Sequence, residues 1–208
     1  MPKISGRQMW CAEVDLVIHR IALSAQYIEK GKGSTIKRFL VATDWLDTDK
    51  RTVMFDVGKR LKGWLKEQVM TMKPSLRDRI QYGVICKSLP ETGFNPIATI
   101  DDFMPSRNWE SFKGYDQYDL NGLPAPNVEC IQTQKGMSIF AMHYVIKKDV
   151  EVKARIYCFA QIPVSAMESW LKTLGQVKGL GDKHNSSEGY GCFDVKDFHQ
   201  VSELELNF

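Results

Sequence analysis

The sequence predicts an α+β fold in which amphipathic helices pack against an antiparallel sheet. Segments Val57–Met72 and 165–177 carry apolar residues at helical spacing, so each predicts a helix with one apolar face. Segments 9–18 and 150–162 alternate apolar with polar residues, which is typical of strands with one buried face. Two helices and several such strands in one chain indicate a layer of helices on a sheet.

The first strand is predicted for residues 9–18, and we expect it to continue to residue 23. Residues 29–38 follow as a basic loop that contains glycines and includes Lys37 and Arg38. Such a loop is either a solvated connection or an arm that follows the phosphates of a nucleic acid.

A hairpin is predicted next, because two β-prone segments, 39–43 and 51–55, flank an acidic turn. The carboxylates in and around this turn could bind a divalent ion, although a solvated acidic hairpin is the expected interpretation. These carboxylates belong to Asp44, Asp47, Asp49 and Asp56.

The helix at Val57–Met72 has three cations near its start, Lys59, Arg60 and Lys62. Cations at a helix N-terminus oppose the macrodipole, which favours anions there. A bound anion would remove this conflict, because helix N–H groups and cations would then face it together. Gly63 costs the helix about 1 kcal/mol relative to alanine, so we expect it to allow a close backbone contact with a ligand or another element.

Regular periodicity fades between about residues 88 and 127, where five prolines interrupt the chain. This stretch is predicted to be a long irregular insertion. Its aromatic side chains could stack on bases, but we expect them to hold the insertion against the body of the domain. They include Trp109, Phe112, Tyr115 and Tyr118.

Strands return after the insertion, at residues 137–146 and 150–162. The short polar turn between them predicts a hairpin. The last helix is predicted to begin at Ser165, because Ser165 and Glu168 match the S-x-x-E capping box. A final strand is predicted for residues 191–201.

A glycine-rich loop separates that helix from the final strand, and it carries cations. Glycines give close access to backbone N–H groups, so the combination suits an anion such as phosphate. A long surface turn is the alternative interpretation. The loop contains Gly179, Gly181, Gly189 and Gly191, and its basic side chains are Lys178, Lys183 and His184.

In chain order the elements read strand, helix, strand, strand, helix, strand once the excursions are set aside. This β-α-β-β-α-β order predicts a ferredoxin-like (RRM-like) fold with an antiparallel sheet. We expect a single domain over residues 1–208, with the insertion at about 88–127.

Composition restricts the class of protein. Of the 208 residues, 43% are apolar and 25% are charged, which is ordinary for a globular protein. No apolar run reaches the roughly 20 residues of a membrane helix, so no membrane partner is expected. Five cysteines without a C-x-x-C pair favour the reducing cytoplasm over a zinc site or a disulfide framework. The net charge of +3 permits a nucleic-acid partner, and no cofactor or metal is expected.

No established catalytic motif is recognisable in the sequence. A metal-independent ribonuclease, however, needs only a base, a proton donor and cations for the phosphate. His19 and His184, together with Lys183, could supply these groups if the fold brings them together.

Two motifs resemble those of a known family. Residues 55–67, FDVGKRLKGWLKE, resemble the G-x-x-L-K-G-x-L-[KR] helix start of the repeat-associated RNA-binding proteins of CRISPR systems, the RAMP superfamily. Residues 175–193, GQVKGLGDKHNSSEGYGCF, are similar to the C-terminal glycine-rich loop of that superfamily, in which G-x-G precedes a G-[FY]-G-x-[FV] strand. The β-α-β-β-α-β order is similar as well.

The resemblance implies a non-catalytic subunit that binds CRISPR RNA beside other subunits of an effector complex, most like the small subunit that caps the 5′ handle. A metal-independent endoribonuclease that processes CRISPR repeats is the first alternative. A protein-interaction module without RNA, such as a viral mimic of such a subunit, is the second. The expected RNA-binding side chains are Lys37, Arg38, Lys59, Arg60, Lys62, Lys178, Lys183 and His184.

Overall fold

The computed structural model describes residues 9–42, 44–47, 49, 51–91, 93–112, 118–132, 136, 138–182 and 188–201. Within these ranges the chain forms strands β1–β11 and helices α1–α4. In chain order they are β1 (Trp10–Ile18), β2 (Ala22–Lys30), β3 (Lys37–Ala42), β4 (Thr52–Phe55), α1 (Val57–Met72), α2 (Arg77–Gly83), β5 (Val84–Leu89), β6 (Asn95–Thr99), α3 (Trp109–Phe112), β7 (Tyr118–Asp119), β8 (Asn127–Gln132), β9 (Ser138–Val145), β10 (Val150–Cys158), α4 (Val164–Leu174) and β11 (Phe193–Val201).

Four strands from distant parts of the chain form the first sheet. Their order is β11-β1-β10-β5, and all three pairings are antiparallel. Helix α1 packs on β5 and β10, and α4 packs on β11. The predicted α+β class, with helices on an antiparallel sheet, is therefore confirmed.

One apolar core fills the space between this sheet and its helices and continues to β2, β3 and β9. Leu61, Leu65 and Val69 of α1 are fully buried, because residues four apart share one face of a helix. Burial of each such side chain contributes roughly 1.5–3 kcal/mol. Trp64 meets Phe193 of β11 edge-on, with ring centroids 5.1 Å apart, so α1 reaches the strand on which α4 packs.

The opposite face of the first sheet carries ion pairs across its strands. The pairing of β1 with β10 places Glu13 opposite Arg155 and Asp15 opposite Lys153. Lys153 donates to Asp15 at 2.5 Å, and the Nε atom of Arg155 donates to Glu13 at 3.1 Å. Cations and carboxylates on this open face are thus matched to each other.

A second sheet has the strand order β7-β3-β2-β9-β8, and β4 forms a separate two-stranded sheet with β6. Strand β1 ends at Ile18, and Arg20 takes a left-handed backbone angle of φ 49. The chain turns there, and β2 enters the second sheet. The prediction that the first strand continues to residue 23 is therefore wrong.

Both predicted hairpins are also wrong, because their strands belong to different sheets. Strand β3 pairs with β2 and β7, whereas β4 pairs with β6. Strand β9 lies in the second sheet, whereas β10 lies in the first. Alternation of apolar and polar residues predicts a strand and its buried face, but it does not identify the partner strand.

Two other segments are more regular than predicted. The basic loop at 29–38 contains the end of β2 and the start of β3, and the stretch at 88–127 contains β6, α3 and β7. The prediction of an irregular insertion is therefore wrong for these elements.

None of the five cysteines, all of which are described, forms a disulfide. Within the described ranges, no helix has the length and apolar character to cross a bilayer.

Candidate nucleic-acid interface

The start of α1 and the glycine-rich loop line one cleft of about 460 Å³. Helix α1 contributes Lys59, Arg60 and Gly63, and the loop contributes Gly179 and Gly181. The two motifs lie far apart in the sequence, and the fold brings them together into one site.

Glycines let the two arms of the loop lie backbone to backbone. The N–H of Leu180 donates to the carbonyl of Gly191 at 2.7 Å, and the N–H of Gly191 donates to the carbonyl of His19 at 2.9 Å. A Cβ atom on Gly191 would overlap the Leu180 carbonyl oxygen, and one on Gly179 would overlap that of Tyr190. These two glycines serve the packing of the loop on itself, which explains their presence without a ligand.

Asp182 ties the glycine-rich loop to β2 and to α1. Its carboxylate accepts the N–H of Ser24 at 2.6 Å and pairs with the guanidinium of Arg60 at 2.5 Å. Its own N–H donates to the carbonyl of Ala22 at 3.1 Å. This role was not predicted from the sequence, although an acidic residue inside a basic loop is a signal for it. Lys183 and His184, which follow it, lie outside the described residues.

The helix start carries its own anions. Asp56 caps α1, because its side chain accepts the N–H of Lys59 at 2.9 Å. Asp44 lies 3.5 Å from the ammonium of Lys59 and 3.9 Å from the guanidinium of Arg60. Burial raises the pKa of Asp44, but a backbone hydrogen bond and the two cations lower it overall. The conflict between cations and macrodipole is thus resolved by carboxylates of the chain itself.

The three cations of the α1 start have different surroundings. The side chain of Lys59 is 68% exposed, whereas that of Arg60 is 26% exposed and held by Asp182. Lys62 does not line the cleft. Its ammonium donates to the carbonyls of Ile80 and Val84, and to that of Gln81 at 3.2 Å, and burial lowers its pKa. Lys62 therefore satisfies carbonyls at the end of α2, which lack partners within that helix.

The remaining predicted cations lie elsewhere. Lys37 and Arg38 belong to β3 of the second sheet, where the Nε atom of Arg38 donates to Glu29 at 2.8 Å. Lys178 precedes the cleft residue Gly179, and its carbonyl accepts the indole N–H of Trp64 at 2.8 Å. Of the predicted RNA-binding cations that the structure describes, only Lys59 and Arg60 line the cleft.

Gly58 and Gly63 of α1 differ in what they face. A Cβ atom on Gly58 would lie 2.6 Å from the Cα atom of Lys87, so this glycine allows α1 to touch β5. At Gly63, among the described residues and apart from its chain neighbours and the backbone of its own helix, no atom lies within 4 Å of the corresponding point. Gly63 therefore leaves the cleft wall open, as a glycine beside a ligand does.

The capping box predicted for the last helix is wrong. Helix α4 begins at Val164, with Pro163 at the cap position and no side-chain hydrogen bond to the cap. Ser165 is therefore already inside the helix, where its hydroxyl cannot take the capping role. Glu168 instead accepts from Lys172 at 2.6 Å, one turn further along.

His19 lies between two carboxylates. Its Nδ1 atom is 3.0 Å from Asp149 and its Nε2 atom is 3.1 Å from Asp194. The hydrogen bond to Asp149 raises the pKa of His19, burial opposes it, and Asp194 adds to the rise. Because both ring nitrogens are engaged, neither is placed to accept a proton from an RNA hydroxyl. His184, the other histidine considered for catalysis, lies outside the described residues.

This arrangement predicts a pH dependence of stability. A histidine whose pKa is raised by folding stabilises the protein most below about pH 6.5, its unfolded pKa, and this contribution is lost as pH rises through the folded value. We expect His19→Gln to lower the free energy of unfolding at about pH 5.5, by less than about 1 kcal/mol because the pairs are exposed. Urea unfolding at about pH 5.5 and 8.5 measures the difference, which should shrink at the higher pH.

Asp149→Asn is the matched variant for this prediction. It removes the largest cause of the raised pKa of His19, so a second substitution of His19 should then have a smaller effect. A His19→Gln effect that grows towards alkaline pH would contradict the raised pKa of His19.

Among the described side chains, no cluster of three or more His, Cys, Asp or Glu residues is placed to hold a metal ion.

Comparisons with known proteins give a likeness at the level of fold. Neither a scan against protein-family models nor a search of curated proteins finds a match. A search of solved structures finds a chain in the cryo-EM structure of the Type III-B Cmr-beta bound to cognate target RNA, with a TM-score of 0.50 and 11% identity. The match covers 93% of this chain and 61% of that chain. The two chains share a fold, and this chain spans about three fifths of the other's length.

Proposed function

We propose that the chain is a non-catalytic subunit of a multi-subunit CRISPR effector complex and binds the CRISPR guide RNA in the cytoplasm. Within this proposal the first sheet, with α1 and α4, is a ferredoxin-like unit of the RAMP superfamily. The sheet order β11-β1-β10-β5 supports it, because α1 and α4 lie at the two positions where a β-α-β-β-α-β unit has its helices. The fold shared with a chain of the RNA-bound Type III-B Cmr-beta structure supports it as well.

The observation that carries the proposal is the cleft between α1 and the glycine-rich loop. These are the two motifs that resemble the RAMP superfamily, and they line the same cleft. Lys59 extends from it into solvent, and Gly63 leaves its wall open. Lys59 is therefore the cation best placed to meet an RNA phosphate, and Arg60 can join it by exchanging Asp182 for the phosphate.

The nuclease alternative receives no support from His19, because carboxylates engage both of its ring nitrogens.

The most specific part of the proposal is binding of the 5′ handle, and it rests on the resemblance of the two motifs to the RAMP superfamily. RNA that co-purifies with the chain or its complex tests it. Sequencing should return molecules that share one 5′ end within a CRISPR repeat, whereas RNA with scattered 5′ ends would contradict handle binding.

Lys59→Gln should weaken RNA binding and make it less sensitive to salt. Each phosphate contact that is lost lowers the slope of log K against log salt by about 0.7 for a single strand. Fluorescence anisotropy with a short labelled single-stranded RNA, measured between about 50 and 200 mM salt, gives this slope.

Asp44→Asn should act in the opposite direction and tighten RNA binding about 5-fold. The substitution removes a repulsion of about 1 kcal/mol between the Asp44 carboxylate and a nearby RNA phosphate.

Lys172→Gln is the matched control, since Lys172 is also exposed and paired with a carboxylate but lies on α4. It should leave the slope unchanged. Equal slopes for Lys59→Gln and the wild type would exclude the cleft as the phosphate site. Absence of salt-dependent binding in the wild type would overturn the RNA-binding proposal itself.

A further inference from the structure

A second cavity, of about 660 Å³, lies on the second sheet and shares no lining residue with the cleft. Its volume is typical of small-ligand sites, which span roughly 300–1,000 Å³. Strands β2, β3, β8 and β9 line it together with α3 and β7. Its aromatic wall consists of Tyr27, Phe112, Tyr118 and Phe140.

The four rings form a continuous series. Tyr118 lies 4.8 Å from Tyr27 and 4.7 Å from Phe112, measured between ring centroids. Phe112 in turn lies 5.0 Å from Phe140. Phe140 is 59% exposed, so a large apolar ring stands at the mouth of the cavity in contact with water. A flat apolar ligand that covered this ring would gain hydrophobic and stacking energy.

A polar atom lies inside the same cavity wall. The hydroxyl of Tyr27 is buried and has no hydrogen-bond partner among the described residues. Burial raises the pKa of Tyr27, so the hydroxyl keeps its proton at neutral pH and can donate it. Buried polar groups are almost always hydrogen-bonded in folded proteins, so an orphaned hydroxyl within the wall of a ligand-sized cavity favours a ligand that supplies the acceptor.

A flat ring with acceptor atoms at its edge meets both requirements. A nucleobase has this character, and aromatic side chains commonly stack on unpaired bases. The open face of the first sheet is unsuited to the task, because its central positions carry the ion pairs of Glu13 with Arg155 and Asp15 with Lys153. The aromatic cavity of the second sheet instead offers apolar rings on which a base can stack.

Strand β2 joins the cavity to the cleft. At the start of β2, the carbonyl of Ala22 accepts the N–H of Asp182 in the glycine-rich loop. Tyr27, which lines the cavity, lies five residues further along β2. At about 3.4 Å per residue, these two points are about 17 Å apart. A groove of about 360 Å³, lined by residues 24–27 and by Phe140 and Met142, extends from the cavity along β2.

We propose that the aromatic cavity binds an unpaired base of the RNA strand whose phosphates occupy the cleft. This proposal rests on the proposed function and adds a base-binding site to it. The base stacks on Phe140 at the mouth, and the Tyr27 ring shifts on binding so that its covered hydroxyl donates to the edge of the base.

The test compares a single-stranded RNA with a second RNA of equal length that contains abasic riboses, both at fixed salt. Phe140→Ala should weaken binding of the first RNA about 5- to 150-fold, the range for one lost base stack. Tyr27→Phe should weaken it about 2- to 10-fold without altering the shape of the cavity wall, because only the hydroxyl is lost. The wild type should bind the abasic RNA as weakly as Phe140→Ala binds the first.

Tyr82→Ala is the matched control, because Tyr82 is 76% exposed on α2 and does not line the cavity. It should bind both RNAs like the wild type. Equal binding of the two RNAs by the wild type would overturn the base-site proposal while leaving the phosphate cleft intact. Failure to bind either RNA would overturn both proposals. Saturation by a free nucleoside monophosphate, with no difference between the RNAs, would assign the cavity to mononucleotides and also overturn the proposal.

Discussion

Gly191→Ala is expected to lower the free energy of unfolding by about 2–5 kcal/mol. The backbone of Gly191 has φ 72, and an alanine costs roughly 1–2 kcal/mol in this left-handed region. Its methyl group would also overlap the carbonyl oxygen of Leu180, and forced overpacking costs roughly 1–3 kcal/mol more. The loop cannot yield easily, because Gly191 is hydrogen-bonded to both Leu180 and His19.

Thermal unfolding measures this effect. For a chain of this size, a loss of about 2–5 kcal/mol lowers Tm by about 4–20 °C. Gly189→Ala is the control, since φ is 68 there but the nearest atom to an added methyl group is the Cys192 sulfur at 3.8 Å. It should cost only the backbone term of roughly 1–2 kcal/mol. Equal losses for the two variants would show that the overlap with Leu180 does not matter.

Lys62→Glu is expected to lower the free energy of unfolding by about 3 kcal/mol, the low end of the range for a buried charge without its counterpart, because Lys62 is half-buried. The ammonium of Lys62 donates to the carbonyls of Ile80 and Gln81 in α2 and of Val84, the first residue of β5. A carboxylate in its place would face those oxygens with like charge. Lys62→Met should cost less, about 1.5–3 kcal/mol, because it removes the charged donor and keeps the apolar stem.

Urea unfolding gives both free energies, and the salt slope of RNA binding gives an independent readout. If Lys62 only supports α2, folded Lys62→Met protein should bind RNA with the wild-type slope. A stable Lys62→Met protein with a reduced slope would instead return Lys62 to the RNA-binding set that the sequence predicted.

Local sequence signals identified the elements that face the core. The stripe of Leu61, Leu65 and Val69 predicted α1 with its observed bounds, because helical periodicity depends only on neighbouring residues. The alternation in β10 likewise predicted a strand. Strand pairing was not predictable in this way, because the partner of a strand is chosen by contacts between distant parts of the chain.

The candidate site was predicted in part. Two separate motifs pointed to Lys59 and Arg60 and to the glycine-rich loop, and it is the fold that brings them together in one cleft. The counter-charges were not foreseen, since Asp44 and Asp182 reach Arg60 only in the folded chain. Lys62 shows the same limit, because the carbonyls that hold it, in α2 and at the start of β5, lie about 20 residues further along the chain.

The position of β1 in the first sheet has a consequence for biosynthesis. β1 is made before the other strands of its sheet, yet its partners are β10 and β11, the two strands of that sheet that are made last. At about 5–20 residues per second, β1 waits on the order of 10–40 s for β11. One edge of β1 lacks its sheet partner until β10 emerges and the other lacks it until β11 emerges, so nascent chains of this protein depend on protection from aggregation during that interval.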